Sequence, residues 1–160
     1  MRENQFENMS EKEAREKILG MVAEYCGKYH NQKKPYVEET IKELKRRGYQ
    51  TAVVTATAED RAVRYLEMVG FKELFDEIIS ATMVEHGKPA PDIYTFACAQ
   101  LGLAPEECLA VEDSPNGVMS ACQAGCQVAM VPDQTQPDDE LKKKLTICAN
   151  TLDELKILFS

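Results

Sequence analysis

The chain has 160 residues, 44% hydrophobic and 29% charged, which suits one domain with its own core and excludes wholesale disorder. Its 27 acidic against 19 basic side chains give a formal net charge of -8, which disfavours non-specific binding to nucleic acid or to an anionic membrane surface. No apolar run approaches the roughly 20 residues of a membrane span, and the polar opening "MRENQFENMSEKEAREK" has no secretory character, so a cytoplasmic protein is expected.

In chain order, Ser10 and Glu13 offer a capping box. Ala14, Ile18, Met21, Val22 and Tyr25 then recur at helical spacing and predict an amphipathic helix over 11–29. After the polar connector "HNQKK", Pro35 opens a second helix carrying Val37, Ile41 and Leu44, which Gly48 ends. "YQTAVVTAT" contains a short β-branched run that predicts a buried strand at about 50–55. A helix over 58–69 follows, with Ala62, Leu66 and Val69 inward and Gly70 as its C-terminal cap. "FDEIISA" is a second strand, "KPAPDIYTFACAQLG" a loop and a helix ending at Gly102, and "CLAVED" a third strand. "NGVMSACQAG" is a short helix stopped by Gly125, and "CQVAMV" a fourth strand. Leu141 to Leu145 form a helical turn, "TICAN" an edge strand and "TLDELKILF" a last helix.

Six cysteines, at 26, 98, 108, 122, 126 and 148, include no C-x-x-C pair, and only His30 and His86 are available beside them. Cys122 and Cys126, four apart on a helix, form half of a metal site at most. Buried apolar thiols in a reduced compartment are the favoured reading.

Strands alternating with helices of about a dozen residues predict crossover connections and a mainly parallel sheet, whose ligands gather at the carboxyl ends of the strands. That singles out Thr55, Ala56, Thr57, Ser80, Glu112, Asp113, Ser114, Pro132 and Asp133. A hydroxyl and backbone amides before a helix suit an anion at Thr55-Ala56-Thr57, although Thr57 as a plain helix cap serves equally. Lys88 sits in a proline-stiffened Gly-Lys-Pro-Ala-Pro loop, against the alternative of a solvated surface lysine. Glu112 and Asp113 at a strand end suit Mg²⁺, against the alternative of a capping acid beside a turn.

Together "AVVTAT", "GKPAPDIY" and "VEDSPNGVMSACQAGCQVAMVPD" closely resemble the haloacid dehalogenase superfamily, in its branch of β-phosphoglucomutase-like phosphatases and mutases. The resemblance covers roughly 35–133. It implies a three-layer Rossmann-like α/β sandwich with an inserted helical cap, and a Mg²⁺-dependent reaction on a small phosphorylated metabolite through an aspartyl-phosphate. By resemblance, Thr55 and the Ala56 amide bind the phosphoryl group and Lys88 neutralises it. Glu112 and Asp113 hold Mg²⁺, with Ser114 and Asn116 shaping the loop.

The family's D-x-D-x-T signature, which supplies the nucleophile and the general acid, is absent. The nearest decoy is Asp76 of "FDEII", which precedes its apolar run and is followed two positions on by Ile78. The expectation is therefore a sheet missing its first, central strand, with residues 1–34 a remnant of the cap and 35–160 an incomplete core. The strands at 50–55 and 108–112 would then pair directly, or the chain would self-associate, or a second chain would fill the gap, or the chain would fold poorly, since "MRENQFENMS" is too polar for a central parallel strand. The chain is expected to be inactive alone. The alternatives are a non-catalytic remnant that binds an anion or a partner chain, and half of an enzyme completed in trans.

Overall fold

The computed structural model describes residues 20–23, 37–132, 135–150 and 154–155. Six strands lie in one parallel sheet: β1 (Gly20–Ala23), β2 (Thr51–Thr55), β3 (Glu77–Ser80), β4 (Leu109–Glu112), β5 (Gln127–Met130) and β6 (Ile147–Cys148), in the order β3-β2-β1-β4-β5-β6. Among the described residues five α-helices join them: α1 (Val37–Arg46), α2 (Glu59–Val69), α3 (Asp92–Leu101), α4 (Pro115–Ala124) and the single turn α5 (Asp139–Lys142). Short 3₁₀ turns lie at Lys72–Leu74, Ala81–Met83 and Pro105–Glu107.

The period of two along each strand divides the apolar residues between two cores. Val53, Leu109, Val111 and Ala129 face Ile41 and Leu44 of α1, Leu66 of α2, and Leu155. Ala52, Val54, Ala110, Val128 and Met130 face Ile93, Ala97 and Leu101 of α3, Val118 and Ala121 of α4, and Leu141 of α5. A sheet covered on both faces needs continuous apolar runs, which is why "TAVVT" and "LAVE" carry so few polar positions. The result is the expected three-layer sandwich. Gly70, Gly102 and Gly125 end α2, α3 and α4 in the left-handed region, as their places in the sequence predict.

The amino-terminal segment departs from expectation. Gly20–Ala23 is not helical but a strand, paired with β2 (Gly20 opposite Thr51 to Ala23 opposite Val54) and with β4 (Gly20 opposite Leu109 to Val22 opposite Val111). The rest of the helix expected over 11–29, and of the cap remnant over 1–34, lies outside the described residues. The physical reason is legible in the run itself: Gly-Met-Val-Ala is short and apolar, and such a run fits a doubly buried strand as well as a helical stripe. What decides is the demand of two facing backbone edges, whose N–H and C=O groups need partners. The expectation that no segment of the chain fills the centre of the sheet is thereby corrected. β2 and β4 do not pair with each other, and no open gap separates them. The family's aspartate signature remains absent from the sequence, because β1 occupies the central position without bringing an aspartate.

The helix expected at 151–159 lies outside the described residues apart from Glu154 and Leu155. The short edge strand expected in "TICAN" is present as β6.

A proline in β1 tests its central position. Val22→Pro removes one N–H from a ladder enclosed on both sides, and the unsatisfied carbonyl opposite is expected to cost ~1–3 kcal/mol in urea unfolding. Hydrogen exchange should show matching loss of amide protection in 51–55 and 109–112. Unchanged protection there would place β1 outside the sheet.

Candidate functional site

Along β4, Leu109 and Val111 face the first core and Ala110 the second, so Glu112, opposite Met130, falls on the second, beneath α3 and α4. It is 1% exposed. An ionised carboxylate there costs several kcal/mol unless it is paired and hydrogen-bonded. Both conditions are met at one oxygen: Lys88 Nζ donates to Oε1 at 2.6 Å, and the Tyr94 hydroxyl donates to the same atom. The ammonium also lies 5.4 Å from the centre of the Tyr94 ring, within range of its π face. Burial, followed by the Glu112 charge, pushes the Tyr94 pKa well above the ordinary tyrosine value, so the hydroxyl remains a donor. On the far side of the carboxylate lies the first turn of α4. A β-carbon at Gly117 would fall 1.8 Å from Glu112 Oε2 and 2.0 Å from Cδ, so only glycine leaves room.

Lys88 arrives on the loop before α3, and α4 fastens that loop. Ser120 Oγ donates to the Ala90 carbonyl at 2.6 Å, and Gln123 Nε2 to the Pro89 carbonyl at 3.1 Å. Asp92 Oδ2 accepts from the His86 amide at 3.1 Å, tying the loop's other end to the first turn of α3. The lysine side chain is 16% exposed, far from a solvated surface lysine.

Asp113 leaves the strand at the carboxyl edge and is buried. It is engaged in an interaction of its own, while its buried Oδ2 accepts no hydrogen bond. Ser114 caps α4, its Oγ accepting from the Gly117 amide at 3.3 Å, and Asn116 is exposed in the first turn of that helix.

Thr55 ends β2 on the same edge. Val22 stands opposite both Val53 and Val111, and two residues further along each strand lead to Thr55 and Asp113. The two are therefore level across β1. Thr55 Oγ1 accepts from the Thr57 amide at 3.0 Å, and buried Ser80, at the end of β3, donates to the Thr57 carbonyl at 2.6 Å. The turn is held at both ends with Ala56 exposed at its apex. Thr57 does not cap the helix: the N-cap of α2 is Ala58, with no side-chain bond. Asp76, by contrast, lies at the amino end of β3, where its carboxylate accepts from the Thr51 amide at 2.8 Å and from Lys45 at 3.2 Å. It takes no part in the carboxyl edge.

The edge thus combines a hydroxyl and a turn, an ammonium held by a buried carboxylate, and a second carboxylate beside them. Sequence reasoning passed over Tyr94, Gly117, Ser120 and Gln123 and gave Ser80 no role. Tyr94 left a usable signal: a tyrosine on the inward face of an apolar helix needs a partner for its hydroxyl.

A layered parallel sheet with this edge defines the class: the chain belongs to the haloacid dehalogenase-like hydrolase family, whose sequence profile matches residues 2–131. The pyrophosphatase PpaX of Bacillus velezensis is 36% identical over 95 residues, or 59% of this chain and 44% of that protein. Hexitol phosphatase A of Escherichia coli is 39% identical over 93 residues, or 57% of this chain and 42% of that protein. The chain therefore spans less than half the length of these curated relatives. Among solved structures, CbbY from Rhodobacter sphaeroides in complex with phosphate superposes with a TM-score of 0.68 at 32% identity, covering 76% of this chain and 55% of that one.

Two substitutions test how Glu112 is lodged. Tyr94→Phe removes one donor from a buried carboxylate and is expected to lower the unfolding free energy by ~1–3 kcal/mol. Gly117→Ala is expected to destabilise too, against the ~1 kcal/mol gain that this change brings at an open helical position. Urea titration measures both, and a stabilised Gly117→Ala variant would show that the carboxylate does not rest against α4.

Proposed function

We propose that this chain carries the phosphate- and magnesium-binding part of a site for phosphoryl transfer on a small phosphorylated metabolite, phosphatase or phosphomutase in type, and that these 160 residues alone do not turn substrate over. The observation that carries the reading is the arrival of Thr55, Lys88 and Asp113 at one edge of the sheet, with Lys88 fixed by Glu112. The family and the phosphatase relatives support it.

In this reading the Thr55 hydroxyl and the Ala56 amide bind phosphoryl oxygens and Lys88 neutralises their charge. Asp113 suits Mg²⁺: a hard carboxylate with a buried oxygen that accepts no hydrogen bond. Glu112, given to Mg²⁺ by the resemblance, here acts through Lys88: its Oε1 is shared by Lys88 and Tyr94, and its Oε2 rests against Gly117. Among the described residues no three His, Cys, Asp or Glu side chains converge as a complete cage, so a metal here would depend on substrate oxygens and water. When bound, Mg²⁺ neutralises phosphoryl charge as a Lewis acid. Ser114 and Asn116 shape the loop at the start of α4.

The chain does not contain the D-x-D-x-T pair that would form the aspartyl-phosphate and protonate the leaving oxygen. A non-catalytic role, binding an anion or a partner chain, is the second reading. Completion in trans is less well supported, because an incoming aspartate-bearing strand would have to displace Gly20–Ala23 from between β2 and β4.

Calorimetry with inorganic phosphate in the presence of MgCl₂ tests the reading. Binding is expected to weaken by about tenfold or more in Thr55→Val and in Lys88→Ala, each of which removes a bond to a charged group. Asp113→Ala is expected to abolish the Mg²⁺ dependence. Hydrolysis of p-nitrophenyl phosphate should stay at background throughout. Phosphate binding insensitive to Thr55 and Lys88 would overturn the site, and Mg²⁺-dependent turnover abolished by Asp113→Ala would reveal a nucleophile within this chain.

A further inference from the structure

Three thiols meet in the second core, at the amino edge of the sheet, away from the edge that carries Thr55 and Asp113. Cys98 lies on α3, Cys108 immediately before β4, and Cys126 between Gly125 and β5. Backbone pairing draws Cys108 toward the residue after Cys126, the Gln127 amide donating to the Cys108 carbonyl at 3.0 Å. Cys98 Sγ lies 3.8 Å from Cys126 Sγ. Cys108 has a carbonyl partner as well, Ala104 O at 3.3 Å from its sulfur. Cys98, Cys108 and Cys126 are 1%, 0% and 9% exposed, all within the second core.

We propose that Cys98 and Cys126 form an oxidisable dithiol, a site at which hydrogen peroxide, or a small hydroperoxide of the same class, makes an intramolecular disulfide. Closing the pair takes the two sulfurs from 3.8 Å to a bond of about 2.05 Å. Cys98, in direct contact with Cys126, is taken as the thiol that reacts first. Its contacts with the neighbouring thiols lower the Cys98 pKa, while contact with Cys98 and burial raise the pKa of both partners. Cys98 thiolate attacks one peroxide oxygen, the O–O bond breaks, and a sulfenic acid forms as the other oxygen leaves as water. Cys126 sulfur then attacks the Cys98 sulfur, the S–O bond breaks, and the thiol proton leaves in a second water. Two thiols and one peroxide give one disulfide and two waters, the sulfurs having lost two electrons to the peroxide. The new bond joins α3 to the start of β5, 28 positions apart in sequence, and restricts the unfolded chain.

Peptide mapping decides the matter. The folded full chain is treated with hydrogen peroxide, denatured, alkylated and cut after glutamate. This separates fragment 86–106, with Cys98, from 108–112, with Cys108, and from 113–140, with Cys122 and Cys126. The expected product joins 86–106 to 113–140, persists in Cys122→Ser, disappears in Cys126→Ser, and accompanies a rise in Tm that dithiothreitol reverses. A product joining 86–106 to 108–112 would assign the pair to Cys108 and overturn the proposal. So would sulfinic or sulfonic acid on Cys98 without a cross-link, or oxidation confined to the exposed Cys148.

Discussion

The Glu112 carboxylate lies at the inner end of β4 with 1% of its surface exposed, beneath two helices of one core layer. Much of the site follows from how that charge is accommodated. Lys88 has to reach it, so the loop before α3 is drawn inward and fastened to α4 by Ser120 and Gln123. Tyr94 has to present its hydroxyl to the same oxygen, which fixes the rotation of α3. Position 117 has to lack a side chain, which sets how closely the start of α4 approaches the strand. A buried ion pair of this kind adds little net stability over apolar residues of similar volume. What it supplies is position: an ammonium held at a defined place at the end of β4.

Much of this was legible in the sequence, and the part that was not has identifiable causes. Alternation of apolar runs with helices placed β2 to β5 within a residue or so, because each run is long enough to cross a sheet buried on both faces. Polar residues at the ends of those runs singled out Thr55, Glu112 and Asp113, because water-seeking groups there interrupt an otherwise apolar pattern, and the proline-stiffened loop singled out Lys88. β1 was misread because Met21 and Val22 fit a helical stripe, and nothing local shows that two distant strands leave backbone groups in want of partners. Ser120, Gln123 and Gly117 were invisible for a related reason: their roles lie in contacts across the fold, and a serine, a glutamine and a glycine in a short helix carry no periodic mark.

Family membership and structure meet unevenly along the chain. Elements matching the family's motifs, from β2 through α4, assemble into the expected edge. At the centre of the sheet, where the family carries its aspartate strand, the chain has Gly-Met-Val-Ala. A backbone ladder asks only for N–H and C=O groups in register, whereas covalent catalysis asks for one particular side chain at the end of that ladder. The two requirements are separable, and Gly20–Ala23 meets the first.

Filling the centre also changes where the sheet meets its surroundings. Among the described residues, the unpaired backbone edges belong to β3 and β6, at opposite flanks. β6 is two residues long, so it offers a neighbouring chain almost no ladder to extend. β3 has four. Among the described residues, growth by strand addition, the usual hazard of an open parallel sheet, is therefore confined to the short flank at β3.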